Sequence, residues 1–279
     1  GLAPAIKAVS NIPVFCSFQG EDTFLESLIE PYQSQVWEVM RTASSHIERF
    51  LAPSEAFFKY MAERLQIGEE KVSIIPNGIN LDGYSPPVEA PTPPKVGFLA
   101  RLNYLKGLDL LVEAFIILHK TDKIPLETQL DIAGTTLPDD QKFIDEQITK
   151  LDSAGLGQKY RIRQNISREE KIEHLRGLTV LSVPVRYPEA FGLYTIEAMA
   201  AGVPIVQPNH GAFPEIIEHT GGGATYNSNN PEALADALKP WLNDPKLSYQ
   251  TGIHAHHAIK SKYSIKKHAE QILKVCFTE

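Results

Sequence analysis

Cysteine is scarce in this chain. Its 279 residues include only Cys16 and Cys276. Two thiols cannot build the disulfide framework of a small secreted domain, and their spacing matches no metal site. Both lie in apolar stretches and read as reduced, buried thiols of a cytoplasmic protein. Long hydrophobic runs are missing as well. None approaches the roughly 20 residues needed to span a bilayer, and no signal peptide is visible. Positive charge is not in excess. The formal net charge is -7, whereas a nucleic-acid partner calls for a basic face.

Several catalytic signatures are also absent from the sequence. Without Gly-x-Ser-x-Gly or His-Glu-x-x-His, serine hydrolase and zinc protease chemistry lose their support. A dinucleotide oxidoreductase is disfavoured because no glycine fingerprint follows the first strand of either half. Gly221-Gly-Gly223 lacks phosphate-loop spacing and reads as a flexible turn. Two of His254, His256 and His257 share a helix face, but no carboxylate-rich partner stands nearby, so a solvated helix is the better reading.

What is present is ordinary globular material, 43% hydrophobic and 22% charged, enough for one large or two medium domains. Short apolar strands alternate with helical patterns, the signature of parallel sheets covered by helices on both faces. Strands are expected at 12–18, 47–52, 71–75, 95–100, 128–133, 160–164, 178–183 and 203–207. Helices are expected at 22–46 (broken at Pro31), 54–66, 107–120, 139–152, 168–176, 192–201, 213–219, 231–243, 246–260 and 264–277. Ser54, Ser167 and Ser264 stand at N-cap positions. Five prolines in residues 85–94 predict a stiff connector between domains. The fold class is therefore α/β with two Rossmann-like domains. Residues 1–84 form an incomplete N-terminal one with about three strands. Residues 95–262 form a doubly wound parallel sheet of about six strands. Residues 263–279 form a helix expected to pack back on the N-terminal part. The chain starts at Gly1, and its first strand pattern has no earlier strand to pair with, so we expect an N-terminal truncation.

Two segments carry chemistry. Residues 188–206 place Glu189 before an aromatic-glycine turn and Glu197 about one turn into a small-residue helix. Free amides at a helix start hold phosphate, and carboxylates accept hydrogen bonds from hydroxyls. Residues 100–107 follow one strand and precede a helix, which puts Arg101 and Lys106 at the ligand edge of an open sheet. A guanidinium fork and a point cation together suit a pyrophosphate.

Arg-Leu-x3-Lys-Gly at 101–107, together with Glu189-x7-Glu197, resembles the retaining glycosyltransferases of family 4. Pro76-Asn77-Gly78-Ile79-Asn80 and Gly211-Ala-Phe-Pro-Glu215 resemble two further segments of that family, and the four occur in the family's order along nearly the whole chain. The resemblance implies a GT-B architecture and transfer of a sugar from a nucleotide-diphosphate sugar to an acceptor hydroxyl with retention. It implies no metal and no other cofactor, in keeping with the missing Asp-x-Asp. Arg101 and Lys106 would contact the diphosphate, Glu189 the donor-sugar hydroxyls and Glu197 the ribose diol. Backbone amides of Phe191, Gly192, Leu193 and Tyr194 would complete the cradle. The family-4 pattern departs at Ala100 and Ala212, where glycines are usual, and at Gln19, where many members carry histidine. Gln19 can hydrogen-bond from the N-terminal domain but cannot titrate.

The implied partners are a nucleotide sugar and a sugar, glycan or lipid-linked acceptor, with no nucleic acid. The setting is cytoplasmic, with peripheral contact to the inner face of a membrane through the missing N-terminal part. The fragment is expected to bind donor and to transfer sugar weakly or not at all. Two rival readings remain open: a GT-B disaccharide phosphorylase or synthase, and a non-catalytic sugar-nucleotide-binding protein.

Overall fold

A computed structural model describes residues 2–121 and 123–277. The first and last residues of the expected segments 1–84 and 263–279 thus lie outside the described residues, as does Glu279's neighbour Thr278. Contacts divide the chain into two units, each built around its own sheet. The smaller holds the chain up to Gly78, Glu189–Phe191 and the chain from Ile265 onward. The larger holds Ile79–Pro188 and Gly192–Ser264.

The smaller unit begins α1 (Ala3–Val9), β1 (Phe15–Ser17), α2 (Asp22–Glu26) and α3 (Tyr32–Ser44). It continues with β2 (Arg49–Ala52), α4 (Glu55–Leu65) and β3 (Val72–Ile74). The helical pattern of 22–46 breaks at Pro31, which stands at the N-cap of α3, where its missing N–H is not needed. The sheet is parallel in the order β1-β2-β3. Its core stacks Phe18 on Phe50, with ring centres 4.9 Å apart, and sets Phe57 edge-on at 6.4 Å. Ser54 caps α4. Its Oγ accepts from the Phe57 N–H at 3.1 Å, and its hydroxyl donates to the Ala190 carbonyl at 2.7 Å. Cys16 and Cys276 are both free and half-buried rather than fully buried.

The larger unit runs β4 (Lys95–Leu99), α5 (Leu108–Lys120), β5 (Gln129–Gly134), α6 (Gln141–Ser153), β6 (Tyr160–Gln164) and α7 (Arg168–Arg176). Next come β7 (Val180–Leu181), α8 (Leu193–Ala200), β8 (Ile205–Pro208), α9 (Phe213–Thr220), β9 (Gly223–Tyr226), α10 (Pro231–Asn243) and α11 (Pro245–Lys262). The last helix, α12 (Ile265–Phe277), belongs to the smaller unit. All neighbours in the six-stranded sheet are parallel, in the order β6-β5-β4-β7-β8-β9. Strand order reverses between β4 and β7, and in doubly wound sheets ligands bind at that reversal, outside the carboxyl ends of the strands. Phe98, Phe115, Leu111, Leu130, Ile132 and Phe213 are buried in its core.

Three expectations need correction. Residues 85–94 are not a connector between the compact units: the division falls at Gly78–Ile79, and the proline run lies inside the larger unit. It is packed there. The Tyr249 hydroxyl donates to the Val88 carbonyl at 3.0 Å, and the Pro94 carbonyl accepts from the Gln129 N–H at 2.9 Å. The chain also returns to the smaller unit at Ile265 rather than 263, because Ser264 pairs with Ile79 in a parallel bridge of the larger unit. Finally, the three-glycine turn is not wholly a turn. Gly223 opens β9, whose pairing with β8 supplies the hydrogen bonds that its composition does not advertise. No helix of the described residues is long and apolar enough to cross a membrane.

Candidate functional site

The loop from β4 to α5 lies on the β4 side of the strand-order reversal and is braced along its length. The Leu102 N–H donates to the Thr135 carbonyl at 3.0 Å, and the Lys106 N–H to Asn103 Oδ1 at 3.0 Å. Gly107 ends the loop at φ +74°, where a Cβ would lie 2.0 Å from the Pro184 carbonyl oxygen. No other residue fits so close to backbone. Arg186 supports the loop from the β7 side. Its N–H donates to the Leu105 carbonyl at 2.9 Å, and its guanidinium grips both oxygens of Asp109 at 2.8 and 2.7 Å. The Lys106 ammonium lies 4.9 Å from the centre of the Tyr187 ring and 5.7 Å from that of Tyr194. Two π faces hold the cation at the carboxyl edge of the sheet.

Arg101 is held differently. Its Nε and Nη2 donate to the two oxygens of Asp140 at 2.9 and 3.0 Å. Asp140 ends the short helical turn before α6 and also accepts from the Leu137 N–H at 2.8 Å. The Arg101 guanidinium holds the Asp140 carboxyl below the usual range. Two of the five guanidinium N–H groups are used in this fork, and three remain for another acceptor.

Arg101 lines a cavity of about 380 Å³ with Leu99, Ala100, Gly134, Thr135, Ile166, Ser167, Arg168 and Lys171. Its floor is the carboxyl ends of β4 and β5. The loops behind these strands are tied together, since the Asn165 N–H donates to the Gly134 carbonyl at 2.8 Å and the Thr136 N–H to Asn165 Oδ1 at 3.1 Å. The wall is the first turn of α7, closed by a capping box between Ser167 and Glu170. Arg163, on β6, is engaged elsewhere: its Nη2 donates to both oxygens of Asp131 at 3.1 Å.

Glu197 reaches this cavity through Lys171, whose ammonium lies 2.5 Å from its Oε1. It lies in the second turn of α8, which starts after Gly192 at φ +78°. The Thr195 hydroxyl donates back to the Gly192 carbonyl at 2.7 Å and fixes that start. Of the residues named from sequence, Arg101, Lys106, Gly192, Leu193, Tyr194 and Glu197 thus share the larger unit. Glu189, Phe191 and Gln19 group with the smaller one.

There, Gln19 donates from Nε2 to Ser17 Oγ at 2.8 Å and accepts at Oε1 from Asn77 Nδ2 at 3.0 Å. The Gln19 and Gly20 N–H groups both donate to Glu21 Oε2, at 2.8 and 2.9 Å. Burial pushes the neighbouring Asp22 carboxyl up, and the charges of Glu21 and Glu189 add to that rise. Glu189 thus stands in an acidic neighbourhood, and the Gln19 carboxamide is bonded at both its nitrogen and its oxygen. Lys171, Asp140, Arg168 and Tyr84 went unnoticed in the sequence. Each is a common polar residue whose partner lies tens of positions away, and no local pattern marks it.

Residues 85–258 match the family described as glycosyl transferases group 1, and residues 1–82 match glycosyltransferase family 4. The chain is 28% identical over 211 residues to the lipopolysaccharide core biosynthesis mannosyltransferase LpcC of Rhizobium leguminosarum bv. viciae, covering 72% of this chain and 58% of that protein. It is 27% identical over 246 residues to the D-inositol 3-phosphate glycosyltransferase of Streptomyces avermitilis, covering 82% of this chain and 51% of that one. It thus spans about half the length of these relatives. Among solved structures, Anabaena Alr3699/HepE in complex with UDP and glucose is similar in fold, with a TM-score of 0.78, 18% identity, and coverage of 98% of this chain and 73% of that one.

Proposed function

This chain belongs to the group 1 glycosyltransferases and has their GT-B type of α/β fold, and from that premise we propose that its larger unit holds a nucleoside diphosphate sugar for transfer. The observation that carries the proposal is the Glu197–Lys171 pair at the cavity lined by Arg101, at the carboxyl ends of the strands. A half-buried carboxylate beside a cavity is a receptor for a vicinal diol, and ribose presents one. Arg101 keeps three free N–H donors for phosphate oxygens. Lys106 and the α8 amides of Leu193 and Tyr194 add fixed positive potential.

The reaction fits this arrangement. The bond between the anomeric carbon and the diphosphate oxygen breaks, and its electron pair stays on the phosphate. The acceptor oxygen bonds to the same face of that carbon, and its proton passes to the departing phosphate oxygen. Configuration is retained, and no metal is required when Arg101 and Lys106 carry the leaving-group charge. Removing one such donor typically costs about 2.7–4 kcal/mol of barrier. Glu189 and Gln19 are assigned to the donor sugar by their place in the family motifs. Glu189 positions hydroxyls and forms no covalent bond. The cysteine usage favours a cytoplasmic setting.

Thermal shifts with uridine, guanosine and adenosine diphosphates and their sugars test the proposal. The UDP held by HepE makes uridine diphosphate the first probe. Wild type should be stabilised by at least one of them, and Glu197→Ala and Lys106→Ala should lose most of that shift. Equal stabilisation of all three proteins would refute the site.

A further inference from the structure

The Glu197 carboxylate does not stand alone, and its surroundings come from two separate parts of the larger unit. One neighbour is Lys171, on the wall of the cavity, with its ammonium 2.5 Å from Oε1. The side chains of the pair are only 27% and 17% exposed. The other neighbour is Tyr84, a buried phenol on a separate segment of the same unit. Burial, and then the Glu197 charge, push its phenol up.

Tyr84 sits on the segment that enters the larger unit, and helix α7 fixes that segment. Arg168 Nη2 donates to the Asp82 carbonyl at 2.7 Å and the Asn80 carbonyl at 3.4 Å. Its guanidinium covers the Tyr84 ring, 5.7 Å from the centre. Arg176, two turns further along α7, donates to the Gly83 carbonyl at 3.0 Å. The turn is closed by the Tyr84 N–H on the Leu81 carbonyl at 3.0 Å, and Tyr84 is buried. One helix therefore carries the ammonium that meets Glu197 and fixes the segment that holds Tyr84.

The count of hydrogen-bonding sites gives this a purpose. A carboxylate offers about four lone-pair sites. The ammonium occupies one and restricts its rotation, which leaves sites for the paired hydroxyls of a diol. Lys171 also cancels the charge that would otherwise repel a diphosphate in the same cavity.

We propose that Lys171 is a positioning residue that orients Glu197 for both ribose hydroxyls, so that selectivity for ribose depends on both side chains. The inference rests on the assignment of Glu197 to ribose given above. Its test is calorimetric titration with uridine diphosphate and 2′,3′-dideoxyuridine diphosphate, with the guanosine pair in parallel. Wild type should prefer the ribose form by about tenfold or more, the scale of hydrogen bonds to a charged group. Glu197→Ala should erase the preference. Lys171→Met should weaken both forms, because Glu197 is then unbalanced beside the diphosphate, and should weaken the ribose form by roughly threefold to thirtyfold more than the dideoxy form, whereas Lys171→Arg should keep the preference. Residual binding of the dideoxy form separates positioning from folding. If Lys171→Met keeps the full preference while Glu197→Ala loses it, the positioning role is overturned and the ribose assignment stands. If wild type has no preference, or Glu197→Ala keeps it, the ribose assignment falls and takes this inference with it.

Discussion

Gly134→Ala should damage the cavity and the sheet together, through sterics alone. Gly134 ends β5, where a Cβ would lie 1.7 Å from the Ala100 carbonyl oxygen and 3.1 Å from Leu102 Cδ2. Real contacts of this kind start at 3.0 Å, so the ends of β4 and β5 must part by about 1.3 Å. One backbone hydrogen bond beyond the strand ladder spans that junction, from the Leu102 N–H to the Thr135 carbonyl at 3.0 Å. Losing it costs about 1 kcal/mol, and overpacking adds about 1–3 kcal/mol. The sum, about 2–4 kcal/mol, should lower Tm by roughly 4–16 °C at this chain size. Gly155→Ala is the control. Gly155 has φ +76° with nothing within 4 Å of the added Cβ, so it bears only the left-handed backbone penalty, about 1 kcal/mol. Thermal melts with a nucleoside diphosphate titration check both variants. Gly134→Ala should also lose about tenfold in affinity, because Ala100 and Gly134 line the cavity, while Gly155→Ala binds normally. A Gly134→Ala protein melting within about 2 °C of wild type, or below which Gly155→Ala melts, would refute the steric reasoning.

Two further outcomes follow from the charges around the same sheet. A double-mutant cycle with Arg101→Met and Asp140→Asn, read by urea unfolding, should give a coupling of about 1 kcal/mol, discounted because the Arg101 side chain is 41% exposed; a coupling near zero would mean that the fork holds nothing. Acid should destabilise the larger unit through Asp131 and Asp140. Burial raises Asp131, but His174 and Arg163 outweigh it, and Arg101 lowers Asp140. Both folded pKa values therefore lie below the unfolded value of about 3.9. Their contribution is full above that value and lost as pH falls through the folded ones. Stability between pH 5 and 2 should fall less steeply in an Asp140→Asn protein, and identical pH profiles would remove Asp140 from the account.

The larger sheet was legible because its strands are short apolar runs between periodic helices, and the chain's own alternation dictates a parallel order. The positions of Lys106 and Glu197 were legible because one follows a strand and the other lies in the helix after the glycine turn, and the structure has them there. The partners were not. Asp140 lies 39 positions from Arg101, Lys171 lies 26 from Glu197, and Arg168 lies 86 from Asp82. Each pair forms only after two strands align, so no window of sequence contains it. The proline run misled for a related reason. Its composition forbids regular hydrogen bonding, which suggested a free connector, yet packing against Tyr249 and the start of β5 absorbs it into a unit.

Glu189 and Glu197 show the same limit at close range. They belong to one motif, yet Glu189 groups with the smaller unit and Glu197 with the larger. The chain changes unit between Phe191 and Gly192, and Gly192 takes the left-handed turn that starts α8. On the smaller side, Ala190 is fastened by the Ser54 hydroxyl, which also caps α4. On the larger side, Thr195 fastens the helix start. Two anchors thus hold the motif, one to a residue 136 positions away and one within its own helix start. A side chain at position 192 would oppose that φ, and its effect should appear in donor binding before it appears in the stability of either sheet.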